Sequence, residues 1–188
     1  MATLIHLNGA PGIGKSTVAQ RYVAEHPGVL DCDVDRLRRL VGGWQDDFDG
    51  IGAIIRPVAL AMIRAHLDGG HDVVLPQMLV SEDQRARFRA AALDAGHDYL
   101  HIALQAPVGV AESRFYGRSE HDTLNAVIRR TVDGQGGSDA IGALDRRLAG
   151  NAEAVDDVVH VDASGDLEAT YRAVVGAVEA ARQQRPLR

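Results

Sequence analysis

The sequence predicts an α/β fold: a doubly wound, five-stranded parallel sheet flanked by helices. Three observations carry that expectation. Short apolar runs alternate with longer amphipathic stretches from end to end, the pattern of parallel strands joined by crossover helices. A glycine-rich turn links the first apolar run to the helix behind it. No repeat, linker or low-complexity tract interrupts the alternation, so 188 residues are expected to form a single domain, 1–188.

Residues 3–8 read as the first strand, and 15–26 as the helix after it, ended by Pro27-Gly28. The second strand is expected over 28–33, finishing in carboxylates, and a short helix over 35–41, broken by Gly42-Gly43. A polar, acidic loop follows at 44–50. Residues 51–67 read as a helix whose stripe Ile54, Val58, Ala61, Met62 and Ala65 should face the core, with Pro57 marking a start or a kink. The third strand is 72–75. Ser81 and Gln84 spell a capping box for a helix over 82–95, and the fourth strand is 99–104. Pro107 opens a helix to about Arg118. Residues 119–151 are helical but broken at Gly134–Gly137, the fifth strand is 158–162, and Ser164 should cap a last helix at 167–182 before a frayed tail, 183–188.

Composition narrows the function. The net charge is −6 with no basic block, which argues against a nucleic-acid binder. The one cysteine, Cys32, rules out an internal disulfide and a multi-cysteine metal site. No leader pattern and no apolar stretch near ~18 residues is read, so a cytoplasmic protein without a membrane partner is expected. Nineteen of the 20 basic residues are arginine, and the only lysine is Lys15. A compact ammonium that reaches between phosphates cannot be replaced by a planar guanidinium, so its position is informative.

Lys15 belongs to Gly9-Ala10-Pro11-Gly12-Ile13-Gly14-Lys15-Ser16, a complete G-x-x-x-x-G-K-S followed by Thr17, between a strand and a helix. That pattern resembles the P-loop of P-loop NTPases. The glycines let successive N–H groups point at phosphate oxygens, and the helix N-terminus adds partial positive charge. Lys15 should reach the β- and γ-phosphates and Ser16 should ligate Mg²⁺. The guanine signature Asn-Lys-x-Asp cannot occur, since no second lysine exists, so the expected ligand is MgATP.

Asp31, Asp33 and Asp35 alternate at the end of the second strand and would share one side if the chain stays extended. Clustered carboxylates repel, which a cation or a proton-transfer role resolves. Asp33 is placed to hold a Mg²⁺-bound water, and Asp35 to accept a proton from an attacking hydroxyl. Simple capping of the next helix is the alternative for both.

The P-loop followed by Val29-Leu30-Asp31-Cys32-Asp33-Val34-Asp35-Arg36-Leu37 resembles the small P-loop kinases: shikimate and gluconate kinases, chloramphenicol phosphotransferase and the zeta-toxin kinases. That resemblance implies that Asp33 and Asp35 are the catalytic and metal-organising pair. The third strand ends Val74-Leu75-Pro76-Gln77 without the acid many P-loop proteins carry there, which leaves metal duty to Asp33. Asp46-Asp47-Phe48 with Leu75–Val80 also resembles the tunicamycin-resistance nucleotide-binding proteins.

Arg114 and Arg118 lie four apart, hence on one helix face, where the small kinases place a phosphate-covering lid, here about 114–137. Arg129 and Arg130 are weaker candidates for it, and the glycine cluster suits a hinge and a plain loop equally. Trp44, Asp47 and Phe48 sit where those kinases bind the acceptor, and Gln77 and Met78 would line the same pocket. The implied activity is transfer of the ATP γ-phosphate to a hydroxyl of a small molecule, such as an antibiotic or another metabolite. Two alternatives stand: a nucleotide-dependent sequestering protein that transfers nothing, and a nucleoside or nucleotide kinase. Oligomeric state is not legible.

Overall fold

The computed structural model describes residues 1–107, 109–119, 121–153 and 158–184. Strands β1 (Thr3–Asn8), β2 (Leu30–Asp31), β3 (Val73–Leu75), β4 (Asp98–Gln105) and β5 (Val158–Asp162) form one sheet in the order β2-β3-β1-β4-β5. Every pairing is parallel. β1 runs through the middle with all six residues buried, as expected for a strand covered on both faces.

Helices α1 (Lys15–Glu25) and α8 (Leu167–Gln183) cover one face, where Ile5, Leu7, Ile102 and Leu104 are buried with Val18 and Val174. Helices α3 (Phe48–Asp68) and α4 (Glu82–Leu93) cover the other, around Leu4, Leu75, Ile63 and Phe88. A short helix α2 (Val34–Leu37) continues into a 3₁₀ turn at Arg38–Leu40. Helices α5 (Val110–Tyr116), α6 (Thr123–Gly134) and α7 (Gly137–Glu153) carry a small core of their own, Phe115, Val132 and Ile141. From the neighbouring strands β1 and β3 the chain departs in opposite directions across the sheet, to β2 and to β4. Crevices at such a reversal are where open α/β sheets bind ligands.

Several expectations need correction. The α3 stripe is the wrong face: Ile54 and Val58 are 58% and 48% exposed, while Ile51, Ile55, Ala59, Ile63 and Leu67 are buried. This helix is apolar around most of its circumference, so two stripes satisfy the same period and the sheet selects the one with larger branched side chains. Pro57 neither starts nor ends the helix. It and Ala53, whose carbonyl it deprives of a donor, are both exposed, so the freed carbonyl is open to solvent. At 21 residues, with an 18-residue window of mean hydropathy 1.4, α3 is also long and apolar enough to cross a bilayer, contrary to the sequence reading. Its inner face is packed on the sheet and Arg56 lines a cleft, which marks it as a core helix.

Ser81 occupies the N-cap of α4 without bonding through its side chain, and Asp166, not Ser164, caps α8 by accepting from Ala169 N at 2.7 Å. α5 starts at Val110 after a left-handed Gly109, not at Pro107. Of the expected frayed tail, Gln183 still belongs to α8, and 185–188 lie outside the described residues.

Candidate functional site

The G-x-x-x-x-G-K-S turn begins at a buried anchor. Asn8 accepts from the amides of Gly9 (3.0 Å) and Leu79 (3.1 Å) and donates to Leu79 O (3.2 Å), tying the loop to the segment after β3. Gly12 and Gly14 adopt φ of +90° and +106°, which a side chain would resist. Gly12 also lies under α5: a Cβ there would sit 2.0 Å from Ala111 O. Gly12→Ala is therefore expected to displace the loop or α5. Nucleotide titration should show affinity lost by at least about tenfold with the sheet intact by circular dichroism.

Lys15 Nζ donates to Gly9 O (2.8 Å) and Ala10 O (2.9 Å). Burial, assisted by Arg118, pulls its pKa down to about 8, against the opposing pull of Asp35 and Asp33. The ammonium is thus mostly charged at neutrality and held ready at the loop.

The acidic cluster departs from its expected arrangement because β2 ends at Asp31 and the chain turns at once into α2. Asp33, 4% exposed, caps that helix: its Oδ1 accepts from Asp35 N (3.0 Å) and Arg36 N (3.3 Å). Capping and cleft roles are compatible, since the other oxygen, Oδ2, has no bond among the described residues and Asp33 lines the cleft. Asp31 turns away, pairing with Arg36 at 3.3 Å, and burial beside Asp33 pushes its carboxyl up to about 6. Between them Cys32 is fully buried, its thiol pushed up to about 12 by burial.

Asp35 stays in the cleft. Burial raises its pKa; Arg38, Lys15 and the Gln77 side chain pull it back, while Asp33 adds to the rise. Arg38, 5% exposed, sets its Nε 3.2 Å from Asp35 Oδ1, bonds Phe48 O and lies 3.8 Å over the Phe48 ring. Gly52 makes room for it, since a Cβ there would meet the guanidinium at 2.8 Å. Behind the cleft the fully buried His6 bridges Tyr99 OH and Gln77 O, each at 2.8 Å. Burial lowers its pKa to about 3, so it is a neutral structural residue.

A cleft of about 730 Å³ joins these groups. Pro11, Gly12, Lys15, Ser16, Thr17, Asp33, Asp35, Phe48, Gln77, Met78 and Arg118 all line it. Gly9, Ala10, Ile13 and Gly14 shape the loop beneath without lining the cleft wall. Trp44 and Asp47 are not brought to it: Trp44 lies in the turn before α3, and Asp47 caps α3 through Gly50 N at 2.9 Å. Arg114 is not brought to it either. Its guanidinium donates to Ala163 O (2.6 Å), Ser164 O (3.2 Å) and Gly165 O (2.6 Å), because α5 ends at Tyr116 and Arg118 lies beyond the helix whose face they were to share. Arg129 holds the carbonyls of Tyr116 and Arg118, while Arg130 bonds Gln45 O and Gln135 reaches Asp49 at 3.1 Å. The α6 segment thus already touches the entry to α3.

Sequence reasoning missed Arg38, Arg56 and Asp49. Only Arg38 carried a signal, three residues after Asp35 on a short helix.

Among the described residues no three His, Cys, Asp or Glu side chains gather to hold a metal. The available donors, the Ser16 hydroxyl and the free Asp33 oxygen, suit an ion that takes its remaining positions from phosphate and water, the habit of Mg²⁺.

A family model for the AAA domain matches residues 4–137. No curated protein matches the sequence. Among solved structures, a gluconokinase from Sinorhizobium meliloti 1021 is similar at TM-score 0.61 and 19% identity, over 97% of this chain and 94% of that one. The Deinococcus radiodurans tunicamycin resistance protein is similar at TM-score 0.57 and 19% identity, over 100% and 98%.

Proposed function

From a chain that belongs to the AAA domain family and folds as a P-loop α/β protein, we propose an ATP-dependent phosphotransferase that phosphorylates a hydroxyl of a small molecule in the cytoplasm. One observation carries the reading: a half-buried carboxylate, Asp35, lies 3.2 Å from the buried Arg38 in the same cleft as Lys15.

The loop amides and Lys15 bind the β- and γ-phosphates of ATP. Ser16 and Asp33 would hold Mg²⁺, which supplies charge neutralisation between those phosphates when bound. Asp35 accepts the acceptor's hydroxyl proton as that oxygen bonds to the γ-phosphorus and the bond to the ADP oxygen breaks. Arg118 lines the cleft, and its guanidinium, 5.7 Å from the centre of the Phe115 ring and without a hydrogen bond among the described residues, is placed to meet charge on the phosphoryl in flight. Gln77 Oε1 is buried without a partner, an acceptor left open for a substrate donor. Gln77 and Met78 line the acceptor side.

ADP release measured across nucleosides, sugars, hydroxy acids and antibiotics tests this. One class is expected to raise the rate well above basal hydrolysis. MgATP binding with no stimulation by any class would favour a sequestering protein.

A pH profile gives a sharper check. A base must be ionised, so kcat/KM falls as pH drops through the raised pKa of Asp35. Arg38 favours the carboxylate, so Arg38→Met raises that pKa further and shifts the acidic limb to higher pH. An unmoved limb removes Asp35 as the base.

A further inference from the structure

We infer that Asn8 is a positioning residue: its side-chain oxygen, shared between the phosphate loop and the segment after β3, passes occupancy of the loop to the acceptor side of the cleft. The inference goes beyond the phosphotransferase reading and rests only on its first step, nucleotide binding at the loop.

Toward its end the central strand β1 buries two polar side chains on one face, His6 and Asn8, two residues apart. Both spend hydrogen bonds on the same stretch of chain. Backbone pairing of β1 with β3 stops at His6 and Leu75, and Pro76 follows. From there the two side chains supply what the ladder no longer does. Gln77 O accepts from His6 Nε2 (2.8 Å) and Leu79 O from Asn8 Nδ2 (3.2 Å), while Leu79 N donates back to Asn8 Oδ1 (3.1 Å). Arg85 adds bonds to Leu79 O and Val80 O, each at 3.3 Å. Residues 76–80 adopt neither helix nor strand, so these side chains dictate where the segment lies.

Asn8 Oδ1 also takes the amide of Gly9, the first of the loop, at 3.0 Å. A change at Gly9 therefore reaches Leu79 through one atom. Ligand binding makes such a change: Gly9 O and Ala10 O accept from Lys15, and a phosphate that draws the ammonium away leaves them without that donor. On its other side Gly9 is tightly packed, since a Cβ there would lie 2.8 Å from Leu104 O and 3.0 Å from Ile13 Cγ2. The start of the loop cannot relax toward β4, so its adjustment is taken up at Asn8. Leu79 does not line the cleft, but Gln77 and Met78 do, and the Gln77 side chain bonds Asp35. The nucleotide thereby sets residues of the acceptor side through the strand beneath them.

The Leu79 amide is the reporter, because it is buried behind the cleft wall, out of reach of a ligand. Hydrogen exchange followed by NMR, with and without MgADP, should slow at Leu79 by about tenfold more than at the β4 amides. Asn8→Ser keeps a short oxygen for Gly9 N but does not span to Leu79. It should bind MgADP within about threefold of the unaltered protein and lose the excess protection at Leu79. A merely structural Asn8 would instead weaken protection at all amides alike and leave the nucleotide-induced excess in place. A Leu79 amide that only follows β4 in the unaltered protein, a result that needs no variant, overturns the inference and leaves the phosphotransferase reading standing. An Asn8→Ser protein that retains the excess does the same. Excess protection that Asn8→Ser abolishes, in a protein that phosphorylates no acceptor, sustains the positioning role and overturns transfer. Absence of any MgADP affinity removes both.

Discussion

Asp35→Asn is expected to lower acceptor-dependent ADP release by about 10³ while MgATP affinity stays within a few-fold, because a positioned base contributes about 10²–10⁴ and Asp35 does not belong to the phosphate loop. Asparagine keeps the shape and an oxygen for Arg38. Asp35→Ala makes the same functional statement but leaves the Arg38 guanidinium, 5% exposed, without its carboxylate, at a cost of about 1–3 kcal/mol, since Asp35 itself is partly solvated. A thermal melt beside the kinetic assay separates that loss of stability from loss of chemistry. If acceptor binding and protection persist in Asp35→Asn as in the unaltered protein, with no phosphorylated product from either, sequestration replaces transfer as the function.

Lys15→Met is expected to weaken MgATP binding by about 10² or more, as it removes a charge-assisted contact to the β- and γ-phosphates and leaves two loop carbonyls, those of Gly9 and Ala10, without their donor. The same ammonium makes affinity depend on pH. Its pKa in the empty site is about 8, and bound phosphate raises it. Binding above pH 8 therefore requires proton uptake: affinity is full below about 8 and drops about tenfold per unit above it until the bound-state pKa is reached. Titrations from pH 7 to 10 should show that slope in the unaltered protein and none in Lys15→Met. A flat profile in both would remove Lys15 from the phosphate contact.

The phosphate loop, the five strands and the order of helices are legible in the sequence because each rests on local chemistry. Glycine spacing, apolar runs and turn residues act within a few positions of themselves. What the sequence leaves undecided is settled by distant packing. The apolar circumference of α3 offers two faces, and only contact with the sheet chooses between them. Arg114 and Arg118 look equivalent by spacing, but the helix ends between them, and carbonyls some 50 residues away claim the first. Asp47 reads as a ligand contact and serves as a cap, whereas Asp33 is a cap that also faces the cleft. Arg38 is hidden by the abundance of arginine; burial sets it apart from the other arginines that line the cleft, and burial is not written in the sequence.

The placement of α5 also bears on motion. One side of this short helix presses its Ala111 carbonyl against Gly12, and from the other Arg114 grips the turn after β5. Pinned at both flanks, α5 acts as a fixed abutment, and any swing of the segment above the phosphates pivots downstream of Gly117. Spin labels on α6 should then report a change of distance on nucleotide addition, and labels on α5 should stay silent.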